Sequence, residues 1–354
     1  MTQPVLVKRE ELLACLESVA PGLATREIVE QSNCLVFRDG RVHTFNDEVA
    51  CRAPTPLPKE LTGAVRAEKC LDILRRLPEE ELGVEARKGD LVFSGKRRRA
   101  GLRLEAEVVL AVDVGQPEKW RKLPEEFGEA VGIVGRCASL DVSHFASTCV
   151  HLNPEWLESS DDTQVCRWPM KLGLPEPVLV RWTALRHAAT LGATGWGLTK
   201  DWLHFRTKKS GLVMSCRRYG DEYPDLGSAL KVRKGAVAVQ FPKGLAEECE
   251  RSDVFSSENP DANLVRVEMR PGRLRMRADG VSGWFSASRK LQYDGRPLEF
   301  CCPPQLLIDL VKRANECLVA EDRLWVQAAS YTWMSCLHVP EQDEAKEEGG
   351  NDQA

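Results

Sequence analysis

The chain has 354 residues, 43% hydrophobic and 29% charged, which is too long for one ordinary domain and apolar enough for two or three. No run approaches the roughly 18 consecutive apolar residues of a membrane span, and the opening MTQPVLVKREELL lacks the apolar core and cleavage site of a secretory signal. Net charge is −4, but the last fourteen residues hold six acids and one lysine, so residues 1–340 stand near +1 and must meet any anionic partner with locally sorted charge.

The 13 cysteines are odd in number, form no CxxC pair and sit mostly inside apolar runs, so they read as core thiols of a reducing, cytoplasmic compartment. The low-apolar, acid-rich segment 341–354 reads as a disordered tail.

In chain order, an opening helix at LVKREELLACLESV is followed by a three-stranded meander: CLVF, the turn Asp39-Gly40, VHTF, the turn Asn46-Asp47, then VACR. A second helix, CLDILRRL, leads to a hairpin, LVFSGKRRRAGLRL. Residues 113–124 read as an ordered linker. The layout then returns: CVHL, WLES and QVCR around Pro154-Glu155 and Asp161-Asp162, the helix RWTALRHAATL, and the hairpin LHFRTKKSGLVMSC. A second linker, 219–232, precedes the polar helix GLAEECERSDVF and the third copy. That copy has VRVEM, LRMR and GWFSA around Pro271-Gly272 and Asp279-Gly280, the helix QLLIDLVKRAN, and the hairpin LWVQAASYTWMSC.

From Gly40 to Asp47, Glu155 to Asp162 and Gly272 to Asp279 the step is seven residues each time. The last two hairpins also share Met-Ser-Cys, at Met214–Cys216 and Met334–Cys336. Three such units give an α+β chain of three repeated β-rich domains with two helices each: 1–118, 119–228 and 229–340, before the tail.

The second helix of each unit is amphipathic. Leu71, Leu74 and Leu77 leave Lys69, Arg75 and Arg76 outside the stripe. Trp182, Leu185 and Ala189 leave Arg181, Arg186 and His187. Leu307, Leu310, Val311 and Ala314 leave Lys312 and Arg313. Cations near a helix C-terminus complement its dipole; three equivalent pairs also fit a surface that meets phosphate.

Taken in order, these segments resemble the bacterial DNA polymerase III beta subunit, the sliding clamp, over most of the chain up to about residue 338. The opening helix, LATREIVEQSNCLVF, SLDVSHFASTCVHL and GDEYPDL carry the likeness. The resemblance implies the DNA-clamp fold, with two three-domain protomers forming a closed homodimeric ring around double-stranded DNA without sequence preference. It implies DNA-facing roles for Arg26, Arg75, Arg76, His144, Phe145, Arg181, Arg186, Lys312 and Arg313. It also implies a cleft between the second and third domains that takes short linear peptides from a DNA polymerase and a clamp loader. Val165, Pro224, Leu226, Thr332, Trp333 and Met334 would build that cleft. The chain departs from the family at Ser160–Val165 and at Met334–Leu337, both of which help to form it. On a strand Trp333 and Met334 point to opposite faces, so at least one is free to fill the core.

Enzyme signatures are missing: there is no HExxH, P-loop or GxSxG. GATGWG at 192–197 follows a helix, whereas a dinucleotide loop precedes one, so it reads as a helix stop. Asp161-Asp162 occupies a recurrent turn, although a metal pair of a DNA-processing enzyme is the rival reading. Lys96–Arg99 reads as a solvated hairpin loop, with auxiliary DNA contact the alternative. No catalytic residue, metal or cofactor is expected, and no membrane partner. Ring closure would use the edge strand around Leu102 and Leu104. The alternative is a clamp-like scaffold or regulator that forms no ring on DNA.

Overall fold

The computed structural model describes residues 4–338 apart from 28, 112, 209, 259–262, 315 and 321, so the acidic segment 341–354 lies outside the described residues. The first repeat runs β1 (Val5–Lys8), α1 (Arg9–Ser18), β2 (Cys34–Arg38), β3 (Arg41–Phe45), β4 (Val49–Pro54), β5 (Gly63–Arg66), α2 (Ala67–Arg76), β6 (Glu81–Arg87), β7 (Asp90–Ser94) and β8 (Arg99–Arg103). The second runs β9 (Arg121–Lys122), α3 (Phe127–Val134), β10 (Cys149–Leu152), β11 (Trp156–Ser160), β12 (Gln164–Pro169), β13 (Val178–Arg181), α4 (Trp182–Thr190), β14 (Gly195–Leu198), β15 (Trp202–Arg206) and β16 (Val213–Arg217). The third runs β17 (Val237–Gln240), α5 (Leu245–Ser256), β18 (Val265–Arg270), β19 (Arg273–Asp279), β20 (Trp284–Lys290), β21 (Leu298–Cys302), α6 (Pro304–Arg313), β22 (Glu316–Val319), β23 (Arg323–Gln327) and β24 (Thr332–Cys336).

Each repeat is thus a strand–helix–three-strand unit used twice. The expected hairpins are three-stranded, because β6, β14 and β22 precede them. The GWG of the glycine-rich stretch belongs to β14; α4 stops before it, and Gly192 takes the left-handed φ of +63° that ends helices.

Two compact units emerge: residues 1–159 with 168–223, and residues 160–167 with 224–354. The first holds a four-stranded sheet, β1-β6-β7-β8, an eight-stranded one, β5-β2-β3-β4-β16-β15-β14-β9, and the strands β13-β10-β11. The second holds β12 (its residues 164–167), β24, β23, β22 and β17 in that order, and the sheet β20-β19-β18-β21. All resolved pairings are antiparallel, which suits strands with one face packed and one face wet.

Local chemistry accounts for the turns. Asp39 and Gly40 both have positive φ, 52° and 70°, the two-residue geometry that matches strand twist in a tight hairpin. Asn46 Oδ1 accepts from the amides of Glu48 (3.2 Å) and Val49 (2.8 Å). Asp161 Oδ1 does the same for Thr163 and Gln164, both at 2.8 Å. The acid at 161 is therefore a turn residue.

The helices bury the stripes expected of α2, with Leu74 fully enclosed and Leu71 and Leu77 nearly so, each contributing about 1.5–3 kcal/mol of transfer free energy. In α4 the phase is different. Its buried face is Ala184, Leu185 and Ala188, while Trp182 and Ala189 are half-buried. Trp182 packs against Gly135, where any Cβ would overlap the indole.

The shared Met-Ser-Cys does not mark equivalent positions. β4 pairs with β16 as Ala50↔Ser215 and Cys51↔Met214, whereas β12 pairs with β24 as Val165↔Met334 and Cys166↔Trp333. Aligned on VACRAP and QVCRWP, the structural counterpart of Met334 is Ser215. A one-residue offset on a strand moves a side chain to the other face, so Met214 and Met334 face opposite sides of their sheets.

Candidate functional site

The candidate cations lie on or beside the second helix of each repeat, and the first helix answers them with acids. Formal charge is +1 on each of α2, α4 and α6, but −2 on α1, −1 on α3 and −3 on α5. Within α1–α2, Arg75 Nη2 sits 2.9 Å from Glu17; within α5–α6, Lys312 Nζ sits 3.8 Å from Glu250. Arg76 and Arg186 are exposed and have no ion pair with a described residue, and neither has Arg26 in its loop. Arg313 closes α6, and its side chain lies outside the described residues. His187, half-buried, has its pKa lowered by burial and then by Arg186, so it adds no charge at neutral pH.

Arg181 departs from the helical reading. It ends β13 and N-caps α4; its guanidinium pairs with Glu48 and is 21% exposed. The same guanidinium lies 5.8 Å from the centre of the Phe145 ring, which packs edge-on against Tyr219 at 4.7 Å. Burial and the Glu48 charge hold the Tyr219 phenol up at about 12. Phe145 is therefore part of a packed network joining the first repeat to the second inside the first unit. His144, one residue earlier, is exposed at a non-helical kink.

The cleft candidates lie in the second unit. Val165, Met334, Trp325, Leu318 and Ala238 stand in register across β12, β24, β23, β22 and β17. Val165, Met334 and Trp325 are 1%, 5% and 0% exposed. Leu226, Ala229, Leu230, Val232 and Ala236 pack over them, and the Trp325 indole N–H donates to Ala229 O at 3.1 Å. Pro224 is exposed at the start of that covering segment, and Thr332 is half-buried on Met334's side of the strand. Trp333 is not with them. It lines a small cavity with Asp309, Leu310, Val326 and Tyr331 on the α6 side, its indole N–H donating to Gln164 Oε1 at 3.2 Å.

No protein-family model matches the chain, and no curated protein matches it. Solved structures do. The sliding clamp (DNA polymerase III subunit beta) of Pseudomonas aeruginosa bound to griselimycin superposes with a TM-score of 0.81 at 15% identity, over 95% of this chain and 99% of that one. The DNA polymerase III beta subunit of Thermotoga maritima gives 0.81 at 16% identity, over 96% and 100%. The DNA polymerase sliding clamp of Bacillus subtilis gives 0.79 at 12%, again over 96% and 100%.

The chain has the DNA polymerase III beta clamp fold.

Within the clamp fold, the structure brings together Val165, Met334, Leu226 and Thr332 and leaves Trp333 on the other face. Reading the sequence missed Trp325, the largest side chain of the row. Period-2 alternation from Leu324–Val326 gave no hint of which face was which; only the strand register does. Reading the cations also missed their acidic neighbours, although Glu17 and Glu250 were legible as charges on the preceding helices. Among the described residues no group of three or more His, Cys, Asp or Glu side chains could hold a metal, and no helix is long and apolar enough to cross a membrane.

Proposed function

We propose that the chain is a DNA sliding clamp: a non-catalytic accessory subunit, cytoplasmic, that pairs into a homodimeric ring around duplex DNA and tethers a DNA polymerase and other partners. One observation carries this reading, the end-to-end superposition on DNA polymerase III beta structures with every repeat present. The three domains would be 1–118, 119–228 and 229–340. Arg26, Arg76 and Arg186, free of ion pairs among the described residues, supply cations for weak, screened attraction to phosphate, with Arg75, Lys312 and Arg313 beside them. Partner peptides would enter above the Val165–Met334–Trp325 row by displacing the 226–236 segment. The edge strand β8, bonded to β7 on one side, is the surface offered for ring closure.

The charge of the six helices, −3 in sum, favours a second reading: a clamp-fold scaffold that does not encircle DNA. Two measurements separate the readings. Light scattering across micromolar concentrations gives the molar mass, and retention on closed versus linearised circular DNA gives topology. A dimer retained only on closed circles supports the ring. A monomer with no retention on either sinks the ring and leaves the scaffold.

A further inference from the structure

The joint between the first two repeats, inside the first unit, is built like the row beneath the covering segment just described but lined with opposite chemistry. Where one has Val165, Met334, Trp325 and Leu318 in register, the other has Ala50, Ser215, His204 and Gly197. On the same sheet face, two residues along β4 from Ala50, lies Arg52, directly opposite His43; Arg38 and Arg41 pair across the preceding hairpin. Together with Asp39, Asp113, Val114 and Gln116 these residues line an open cavity of about 250 Å3.

Its electrostatics are unfavourable when empty. Arg38 and Arg41 are cross-strand neighbours, an arrangement that repels. Arg41 and Arg52 form no ion pair with a described residue; Asp39 is spent on Arg38 at 3.5 Å and is mostly in water, and Asp113 is the remaining acid. Arg52 Nε and His43 Nδ1 are buried with no hydrogen-bond partner among the described residues. Such atoms cost free energy unless a hydrogen-bonding partner meets them.

We propose that this pocket is an oxyanion site that takes the phosphate group of a small ligand. The guanidinium fork of Arg52, the side chain of Arg41 and an Nδ1–H of His43 are donors of the kind a phosphate accepts from. The volume lies below the roughly 300–1,000 Å3 of sites that enclose whole drug-sized ligands, so it holds free phosphate or the phosphate end of a monoester and not a dinucleotide. His43 reports occupancy. It is faced by Arg38, Arg41, Arg52, Asp39 and Asp113, and burial followed by the arginine charges lowers its pKa to about 4. A bound phosphate, a monoanion at the pH where His43 titrates, places negative charge beside the ring and raises that value.

The test uses the full chain at constant ionic strength in chloride. Calorimetry measures binding of inorganic phosphate and of adenosine monophosphate to wild type and to the double variant Arg41→Gln/Arg52→Gln, while proton NMR follows the His43 ring through a pH titration. We expect at least tenfold weaker binding in the double variant and an upward move of the His43 midpoint when phosphate is present. Tighter binding of the monoester than of phosphate identifies a phosphomonoester ligand, and equal binding identifies free phosphate. A His43 midpoint unmoved by millimolar phosphate overturns the site without reference to any variant, as does equal binding by wild type and the folded double variant.

Discussion

Met334→Ala is the sharpest probe of the second unit, because burial and partner binding make opposite demands on it. The side chain is 5% exposed, opposite Val165 and Trp325 and roofed by Leu226 and Leu230. Truncation removes three heavy atoms, about 2.4 kcal/mol at ~0.8 kcal/mol per buried methylene-sized group. A residual void of about 60 Å3 adds roughly 1.4 kcal/mol at ~24 cal/mol per Å3. The total, about 3–4 kcal/mol, corresponds to a fall of roughly 2 M in urea midpoint for an m-value of about 1.5–2 kcal/mol per molar. Met334→Leu, close in volume, should cost under about 1.5 kcal/mol. Urea unfolding followed by tryptophan fluorescence reads both. An unchanged midpoint for Met334→Ala, with weakened binding of a polymerase-derived peptide, would mean that Met334 is an open surface anchor and that the covering segment does not rest on it.

Glu48→Gln strips the half-buried Arg181 of its charge partner, and we expect a loss of about 1–3 kcal/mol in thermal or urea unfolding, partly recovered by adding Arg181→Met. His204 is fully buried, 2.7 Å from Ser215 Oγ and 3.0 Å from Thr199 Oγ1, and burial followed by the Arg52 charge lowers its pKa to about 4. Above pH ~6.5 neither state of the protein protonates it, and between ~6.5 and 4 only the unfolded chain does. Stability should therefore fall by about 3 kcal/mol on acidification through that window, and His204→Gln should flatten the fall. Charge reversal at Arg76 or Arg186, which have no ion pair among the described residues, should lower the salt slope of DNA binding by about one unit each. Reversal at Arg75 or Lys312, already beside Glu17 and Glu250, should lower it less; equal effects at all four would show that those ion pairs open on DNA.

The threefold repeat was legible because its turns are written in Asp, Asn, Gly and Pro at a constant step. Asp39-Gly40 folds as those residues dictate, and α2 buries the stripe its leucines spell. What escaped was information held between strands. The two Met-Ser-Cys runs looked equivalent, yet pairing with β4 and β12 sets them one residue apart. Trp325 belongs with Met334 only because β23 and β24 pair in that register. α4 starts at Trp182, and Arg181, which opens its sequence segment, is instead paired with Glu48, a residue 133 positions away. Distances of that kind are invisible to local periodicity.

The pairings of β4 with β16 and of β12 with β24 also have a consequence for synthesis. Arg52 meets Val213, and Arg167 meets Thr332, so each partner strand lies about 160 residues downstream. At roughly 5–20 residues per second a ribosome needs about 10–30 s to deliver it. Through that interval the nascent chain displays one side of a finished meander with nothing to bond to, the condition in which strand edges recruit strangers. β4 and β12 end alike, Arg52-Ala53-Pro54 and Arg167-Trp168-Pro169. A cation and a proline nitrogen without an N–H stand where an invading strand would have to continue. The same two residues that punctuate the finished sheet are a guard on the unfinished one.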